Sequence, residues 1–354
     1  MCRSKSLLSN NSNHGPVTAI EKSQSDKSEK LRETVDTGLY LYINKDAYGI
    51  VWRNVAIFLA LHLITIYSTI VLFRDRSWNT WIFAYLYGFH GGLGVTAGAH
   101  RLWSHRSYKA RLGLRIFLAC CFSIAGQDDL LTWCRDHRVH HKYSETDSDP
   151  HNSRRGFFFA HVGWLLTRKH PQVIAKGKQL DLSDLMADPV VRFHKRFYPL
   201  CYVIFIVIIP CLIPIYFWNE KPLNAFLIAV VWRYVLSLHC TWFVNSAAHM
   251  WGDRPYRRTI GARENPFVSF AAFGEGFHNF HHTFPYDYST SELGWKLNPT
   301  KVFIDLMAIL GLAYDLKKVK PETIHRSKEN QSNNNNTMMF NHQSRNTFEH
   351  NNHY

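Results

Sequence analysis

The sequence predicts an all-α integral membrane protein with four transmembrane helices and a cytosolic part that gathers nine of its 21 histidines. Three observations lead there. Four apolar stretches approach the ~20 residues that cross a bilayer. Lysine and arginine fall almost wholly on one side of them. Two histidine clusters repeat a spacing of three and four residues, which shares one face of a helix. The 24 Phe, 17 Tyr and 11 Trp among 354 residues exclude a disordered chain. Mean hydropathy lies slightly below zero because polar ends dilute the long apolar runs.

Residues 1–48 read as a polar cytosolic segment, partly disordered. MCRSKSLLSN at its start lacks the apolar core of a secretory signal, so membrane entry falls to internal segments. The spans run over about 52–73, 79–99, 197–218 and 223–246. Segments 74–78 and 219–222 are short enough to be tight turns, which makes two hairpins with their outer ends on one side. Those outer segments, 1–48, 100–196 and 249–354, hold 36 of the 41 lysines and arginines, against three in the turns. Both termini and the central segment are therefore cytosolic. The net charge of +14 becomes a positive-inside signature facing the anionic leaflet, and no nucleic-acid motif accompanies it. Arg233, inside the fourth span, is costly unless it is paired or faces a cavity. The stretch 113–126 is too short to span and belongs to the interface or the cytosolic part. The seven cysteines lack CxxC spacing and read as free thiols. A membrane domain over 49–320 leaves an Asn/His-rich tail at 321–354, with NQSNNNN at 330–336, as disordered.

By this topology nine histidines lie on the cytosolic side: His100 and His105; His137, His140 and His141; His249; and His278, His281 and His282. HRVHH and HNFHH, as helices, point six imidazoles into one space. His100 and His105, five apart, diverge by ~140° on a regular α-helix; they serve different metals, or the helix ends between them. The remaining histidines within the domain, such as His62, His151, His161 and His239, read as ordinary hydrogen-bonded residues.

Nine imidazoles exceed one ion and suit two. No cysteine accompanies them, against structural zinc or an iron–sulfur cluster. HExxH is absent, and EGFH at 275–278 is the one ExxH outside the tail, which excludes a ferritin-like carboxylate site. Imidazole suits zinc, copper, iron and nickel alike, so ligand type leaves the element open. Five carboxylates, Asp136, Glu145, Asp147, Asp149 and Glu275, are placed to hold second imidazole nitrogens or to form surface ion pairs.

The strings around these histidines resemble membrane fatty acyl-CoA desaturases of the animal stearoyl-CoA (Δ9) type over roughly 48–318. They are TAGAHRLWSHRSYKAR at 96–111, DHRVHHKYSETDSDPHN at 136–152, NSAAHMWGDRPY at 245–256 and GEGFHNFHHTFPYDY at 274–288; GLAYDLKKV at 311–319 resembles the insect members. The resemblance implies a cytosolic helical cap holding a histidine-ligated di-iron site, with the nine histidines as ligands and Asn245 reaching one iron through a water. It implies O2 as co-substrate and insertion of a cis double bond, Δ9, into a saturated C14–C18 acyl-CoA. It implies contacts to CoA and the acyl tunnel from Asn54, Asp129, Arg135, Asp136, Arg168, Lys169 and Trp242, with Trp133 and Thr241 near the tunnel's bend. The electron donor implied is cytochrome b5, reduced by NADH-cytochrome b5 reductase, at the endoplasmic reticulum membrane.

The chain departs from the family where QDDLLTWCRDHR at 127–138 stands for the usual QNDxYEWARDHR. Asp128 adds negative charge near an anionic CoA, and Cys134 replaces a small alanine. Ala84 and Gly88 correspond to the tunnel's closed end, where small residues admit a longer or displaced chain. Shifted regiospecificity such as Δ11, fatty-acid hydroxylation on the same scaffold, and a non-enzymatic metal-storage or transport protein are the alternatives.

Overall fold

The computed structural model describes residues 49–72 and 77–331. The expectations for 1–48, for Arg74 and Arg76, and for the tail from 332 onward lie outside the described residues. Helix α1 (Trp52–Leu72) turns Ile57, Leu59, Leu63, Ile66 and Ile70 outward, the all-round apolarity of a segment facing lipid. Helix α2 (Trp78–Leu93) continues unbroken as a π-helix over Gly94–Ser104. A two-residue strand β1 (Lys109–Ala110) leads to α3 (Leu112–Ala125) and α4 (Leu130–Tyr143). Two long helices follow, α5 (Pro189–Trp218) and α6 (Pro222–Met250), joined through Asn219 in the left-handed conformation. Shorter helices α7 (Pro266–Ala271), α8 (His278–Thr283) and α9 (Pro299–Ile309) precede β2 (Ala313–Tyr314), which pairs antiparallel with β1.

Among the described residues three helices, α1, α5 and α6, are long and apolar enough to cross a membrane. The span expected over 79–99 is present as helix, but its glycines, His90 and aromatic residues leave α2 short of that apolarity. α5 begins earlier than expected because Asp188 caps it, its side chain accepting from the Val190 N–H. It kinks at Phe197, two residues before Pro199, and the kink parts a polar start from the apolar span. α6 breaks at Ser246, so that Asn245 and His249 fall on opposite sides of the break. Residues 321–331, expected as the start of the tail, are helical. Ile324 packs against Tyr256, Phe280 and Phe284, and the Ser327 hydroxyl donates to the Tyr256 carbonyl at 2.8 Å. That apolar anchor was hidden by the polar composition around it.

α2 is central, touching α3, α5 and α6, while its π-helical end touches α4 and α9. The short apolar α3 packs against α2 rather than spanning. The approach is close: a Cβ on Gly94 would lie 2.1 Å from the Phe122 backbone nitrogen. Gly94→Ala therefore pushes the histidine-bearing end of α2 off α3. The expected cost is about 1–3 kcal/mol, the range for overpacking, read as a lower Tm in detergent; an unchanged Tm would contradict this packing.

Candidate metal centre

The π-helix is what brings His100 and His105 together. In a π-helix the amide of residue i+5 bonds the carbonyl of residue i, and the His105 N–H donates to the His100 carbonyl at 3.1 Å. His105 therefore comes about one turn after His100, and the rings stand 4.9 Å apart. The α-helical assumption behind a divergence of ~140° fails here, and with it the assignment of the pair to different metals; the helix does end between them, at Ser104. Arg138 of α4 holds this end in place. Its guanidinium donates to the carbonyls of Trp103 (2.8 Å) and Ser104 (3.0 Å), and its counter-charge is Asp184. α4 and the π-helix are thus fastened one residue from His137.

All nine clustered histidines meet in one chamber, as two donor sets. His100, His105, His137, His141 and His281 form the first; His140, His249, His278 and His282 form the second. Within each set the donor atoms lie within 4.8 Å of one another. The split follows helical geometry. His137 and His141, four apart on α4, share a face and enter the first set, while His140 points aside into the second. α8 mirrors this, with His278 and His282 in the second set and His281 in the first.

Nε2 atoms converge inside the chamber. His281 Nε2 lies 2.9 Å from both His100 Nε2 and His141 Nε2, and His278 Nε2 lies 3.0 Å from His249 Nε2 and 3.1 Å from His282 Nε2. Carboxylates sit at the outer nitrogens. Glu275 is 2.8 Å from His100 Nδ1, Asp149 is 2.9 Å from His140 Nδ1, and Glu145 is 3.5 Å from His249 Nδ1. A carboxylate at Nδ1 keeps the proton there and turns the Nε2 lone pair inward, the arrangement that suits a ligand to a cation. Burial and then the neighbouring imidazoles hold His105, His137, His141, His278, His281 and His282 well below the ordinary histidine range, hence neutral. Burial opposes ionisation of Glu275 and Asp149, but His100 with Arg101, and His140 with His151, outweigh it and lower both carboxyls. Two clusters of inward nitrogen donors, with carboxylates at three of the outer nitrogens, fit two metal cations.

Of the five carboxylates, Glu275, Asp149 and Glu145 face the histidines, Asp136 pairs with Arg135 (2.7 Å) and Lys169, and Asp147 lines a small cleft with Arg168. Sequence reasoning passed over Arg101, fully buried and paired with Glu275 at 2.9 Å. It also passed over His151, whose ring stands 4.3 Å from His140. His62, His239 and His161 are hydrogen-bonded, as expected, in a chain whose successive links are 3.0 and 2.9 Å and which ends 2.9 Å from the Ser246 hydroxyl.

A cavity of about 450 Å³ opens from this chamber and runs along α2 and α6. His100, His137, His140, His278 and Asn245 line one end, Trp133 and Thr241 its middle, and Ala84, Gly88 and Arg233 the other. Gln127 spans the middle, its amide donating to Thr241 (2.8 Å) and accepting from the Trp133 indole (3.2 Å). Gln127 opens the string QDDLLTWCRDHR, but no spacing singles it out as a cavity residue. Arg135, Asp136 and Lys169 line a separate cavity of about 310 Å³ with Lys178 and Lys195. Arg168 lies with Lys169 in a smaller cleft. Trp242 lines none of these; it is buried beside Phe58, His62, His161 and His239. Asp129 caps α4, accepting from the Thr132 N–H and hydroxyl, and the Asn54 amide donates to the Leu165 carbonyl at 2.8 Å.

A family model described as fatty acid desaturase matches residues 76–294. Stearoyl-CoA desaturase 5 of Bos taurus is 55% identical over 279 residues, 79% of this chain and 83% of the relative. Acyl-CoA desaturase of Cyprinus carpio is 57% identical over 276 residues, 78% of this chain and 84% of the relative. Stearoyl-CoA desaturase of Homo sapiens is 52% identical over 302 residues, 84% of each chain.

The outward carboxylates make a direct prediction. Asp149→Asn is expected to weaken metal binding at the second set by about 10–100-fold. Glu275→Gln does so at the first and also strips Arg101 of its counter-charge, at a cost of about 3–5 kcal/mol. Metal per chain after dialysis against a chelator, with Tm, reads both; wild-type retention in both variants would refute the role given to these carboxylates.

Proposed function

The chain belongs to the fatty acid desaturase family, and from that premise we propose that it is an acyl-CoA desaturase of the Δ9 type. Its substrate is a saturated C14–C18 acyl-CoA, into which it inserts a cis double bond. One observation carries the reading: two imidazole sets sit at the head of a cavity that runs down between membrane-span helices. That is the arrangement for acting on the middle of a long apolar chain.

Two iron ions are the proposed cofactors, one in each histidine set, with Asn245, beside His140 and His278 on the cavity wall, reaching one of them through a water. Bound there, iron supplies with O2 an oxidant strong enough to remove hydrogen from an unactivated methylene. The protein does the rest. Glu275, Asp149 and Glu145 fix the tautomer and aim of His100, His140 and His249. Burial of the chamber excludes water, which guards against side reactions. Each methylene drawn into the cavity contributes ~0.8 kcal/mol, so depth of insertion decides which carbons lie beside the histidines. Gln127, tying Trp133 to Thr241, keeps the middle wall from relaxing and so fixes the chain's path.

The cationic cavity of Arg135, Lys169, Lys178 and Lys195 is the proposed seat of the CoA phosphates, where charge-assisted hydrogen bonds are strong. Asp136 orients Arg135 and Lys169 within it. Arg168 extends the positive surface, and Asn54, Asp129 and Trp242 are proposed as further contacts to the CoA and the acyl chain. In the membrane we propose four spans, with α2 as the fourth, and a cytosolic cap formed by α3, α4 and α7–α9. Both termini are cytosolic and the membrane is the endoplasmic reticulum. The distribution of lysine and arginine supports that orientation. The basic cytosolic face suits an acidic electron donor, for which cytochrome b5, reduced by NADH through its reductase, is proposed.

Expression in a desaturase-deficient yeast, with mass spectrometry locating the double bond, tests the function. A Δ9 cis product is expected; an oxygenated chain without a double bond would make the protein a hydroxylase. His140→Ala is expected to abolish activity, and activity that persists would contradict its place among the ligands. Arg135→Ala and Lys169→Ala are each expected to raise KM for acyl-CoA by about tenfold, the ~1.5 kcal/mol of one charged hydrogen bond, with kcat held. An unchanged KM in both would move the CoA elsewhere.

A further inference from the structure

Arg233 lies near the middle of α6, inside a membrane span, and is 2% exposed. A charge at that depth marks a functional position unless it is fully satisfied, and this one is not. Nε donates to the Ala229 carbonyl (2.8 Å) and Nη1 to the Ile124 carbonyl (2.9 Å), but Nη2 has no acceptor among the described residues. The Tyr87 ring, 5.3 Å away, faces the guanidinium. Arg233 also lines the deep end of the cavity, together with Ala84, Tyr85, Gly88 and Leu236. Gly88 makes room for it: a Cβ at that position would stand 3.3 Å from Arg233 Cγ. Arg233 therefore takes part of the space beside Gly88, while the cavity stays open against both Ala84 and Gly88.

We infer that Arg233, admitted by Gly88, is the floor of the acyl cavity, a polar floor that sets the longest chain accepted. The inference rests on the desaturase reading for the identity of the ligand. Its physics is that of a buried donor: pressing a methyl group against an N–H that lacks an acceptor adds desolvation cost without a hydrogen bond in return. Affinity then climbs with chain length until the methyl end meets the guanidinium, and stops there. A chain whose last carbon bears a hydroxyl meets the same floor differently, since its oxygen gives Nη2 an acceptor. An apolar floor would penalise that hydroxyl.

Binding separates this inference from the desaturase reading. Affinities of the full-length, metal-loaded protein for saturated acyl-CoAs of C14 to C20, and for 16-hydroxypalmitoyl-CoA, are measured by titration calorimetry; turnover of palmitoyl-CoA is assayed apart. In wild type, affinity is expected to break at one chain length and the hydroxylated chain to bind comparably to its parent. Arg233→Leu is expected to carry the rise past that break at about fourfold per methylene, the ~0.8 kcal/mol of one buried CH2, and to disfavour the hydroxylated chain. Gly88→Val, which crowds Arg233 upward, is expected to move the break to a shorter chain. An Arg233→Leu protein with wild-type metal content and an unmoved break would overturn the inference. Should that variant not accumulate, an unmoved break in Gly88→Val overturns it equally. Loss of turnover with these binding patterns intact would count against the desaturase reading alone.

Discussion

Nine imidazoles share one buried chamber with their Nε2 lone pairs facing inward, and the rest of the molecule is arranged around keeping them so. Lone pairs crowded at about 3 Å repel unless protons or cations lie between them. Protonating the rings would replace that repulsion with clustered, poorly solvated charge, which is costlier still. The outer carboxylates hold protons at Nδ1 of His100, His140 and His249 and so keep those Nε2 lone pairs inward, and the cations proposed for the two sets relieve the repulsion. Glu275 in turn needs a partner of its own, and Arg101 supplies it from the residue beside His100. Arg101 is anchored further by the carbonyl of Tyr288 and the amide of Asn298. One ligand thus draws a shell of ionic and hydrogen-bonded groups from the π-helix, the segment before α8 and the start of α9.

The π-helix is the backbone's answer to the same demand. An α-helix through 94–104 would set His105 on the far side of His100. Winding it wider costs hydrogen-bond quality and leaves carbonyls to be satisfied from outside. The hydroxyls of Ser104, Ser107 and Tyr108 take the carbonyls of Ala99, Arg101 and Ala97, and Arg138 takes two more. The sequence around HRLWSHRSYK is rich in short hydroxyl side chains for this reason. Gly94 allows the widened helix to lie against α3 with no side chain between.

Much of this was legible in the sequence, and the illegible parts have definite causes. Three spans and the shared face of the HxxHH pairs follow from hydrophobic length and the 3.6-residue period, which are local properties. The union of His100 with His105 does not, because the local period there is that of a π-helix and no residue pattern announces it. Which of five carboxylates meet the histidines is a tertiary fact; Asp136 is one residue from His137 yet faces a different cavity. Gln127 and His151 carry no repeated spacing and become visible only as neighbours of Thr241 and His140. α2 is less apolar than the other long helices because it carries the glycines that let it pack at the centre, and His90 with its aromatic residues. Arg233 was recognised as costly, but its partners are two backbone carbonyls and an aromatic ring, which no side-chain pattern records.

The cavity joins two environments with opposite requirements. At its upper end the histidine chamber needs polar neighbours close by, and gets them from three carboxylates and Arg101. Farther down it runs between α2 and α6, where a buried polar group must be satisfied by the protein itself. Gln127 stands at the change between them and spends its amide on Trp133 and Thr241, leaving the wall beyond apolar. Arg233 breaks that rule at the far end, with one N–H unpaired. An unsatisfied donor at the far end gives an apolar ligand sliding along the cavity a stop. On these proposals, position along the cavity, and so the carbon presented to the histidines, is fixed from two ends: by the cationic cavity of Arg135 and Lys169 and by the guanidinium of Arg233.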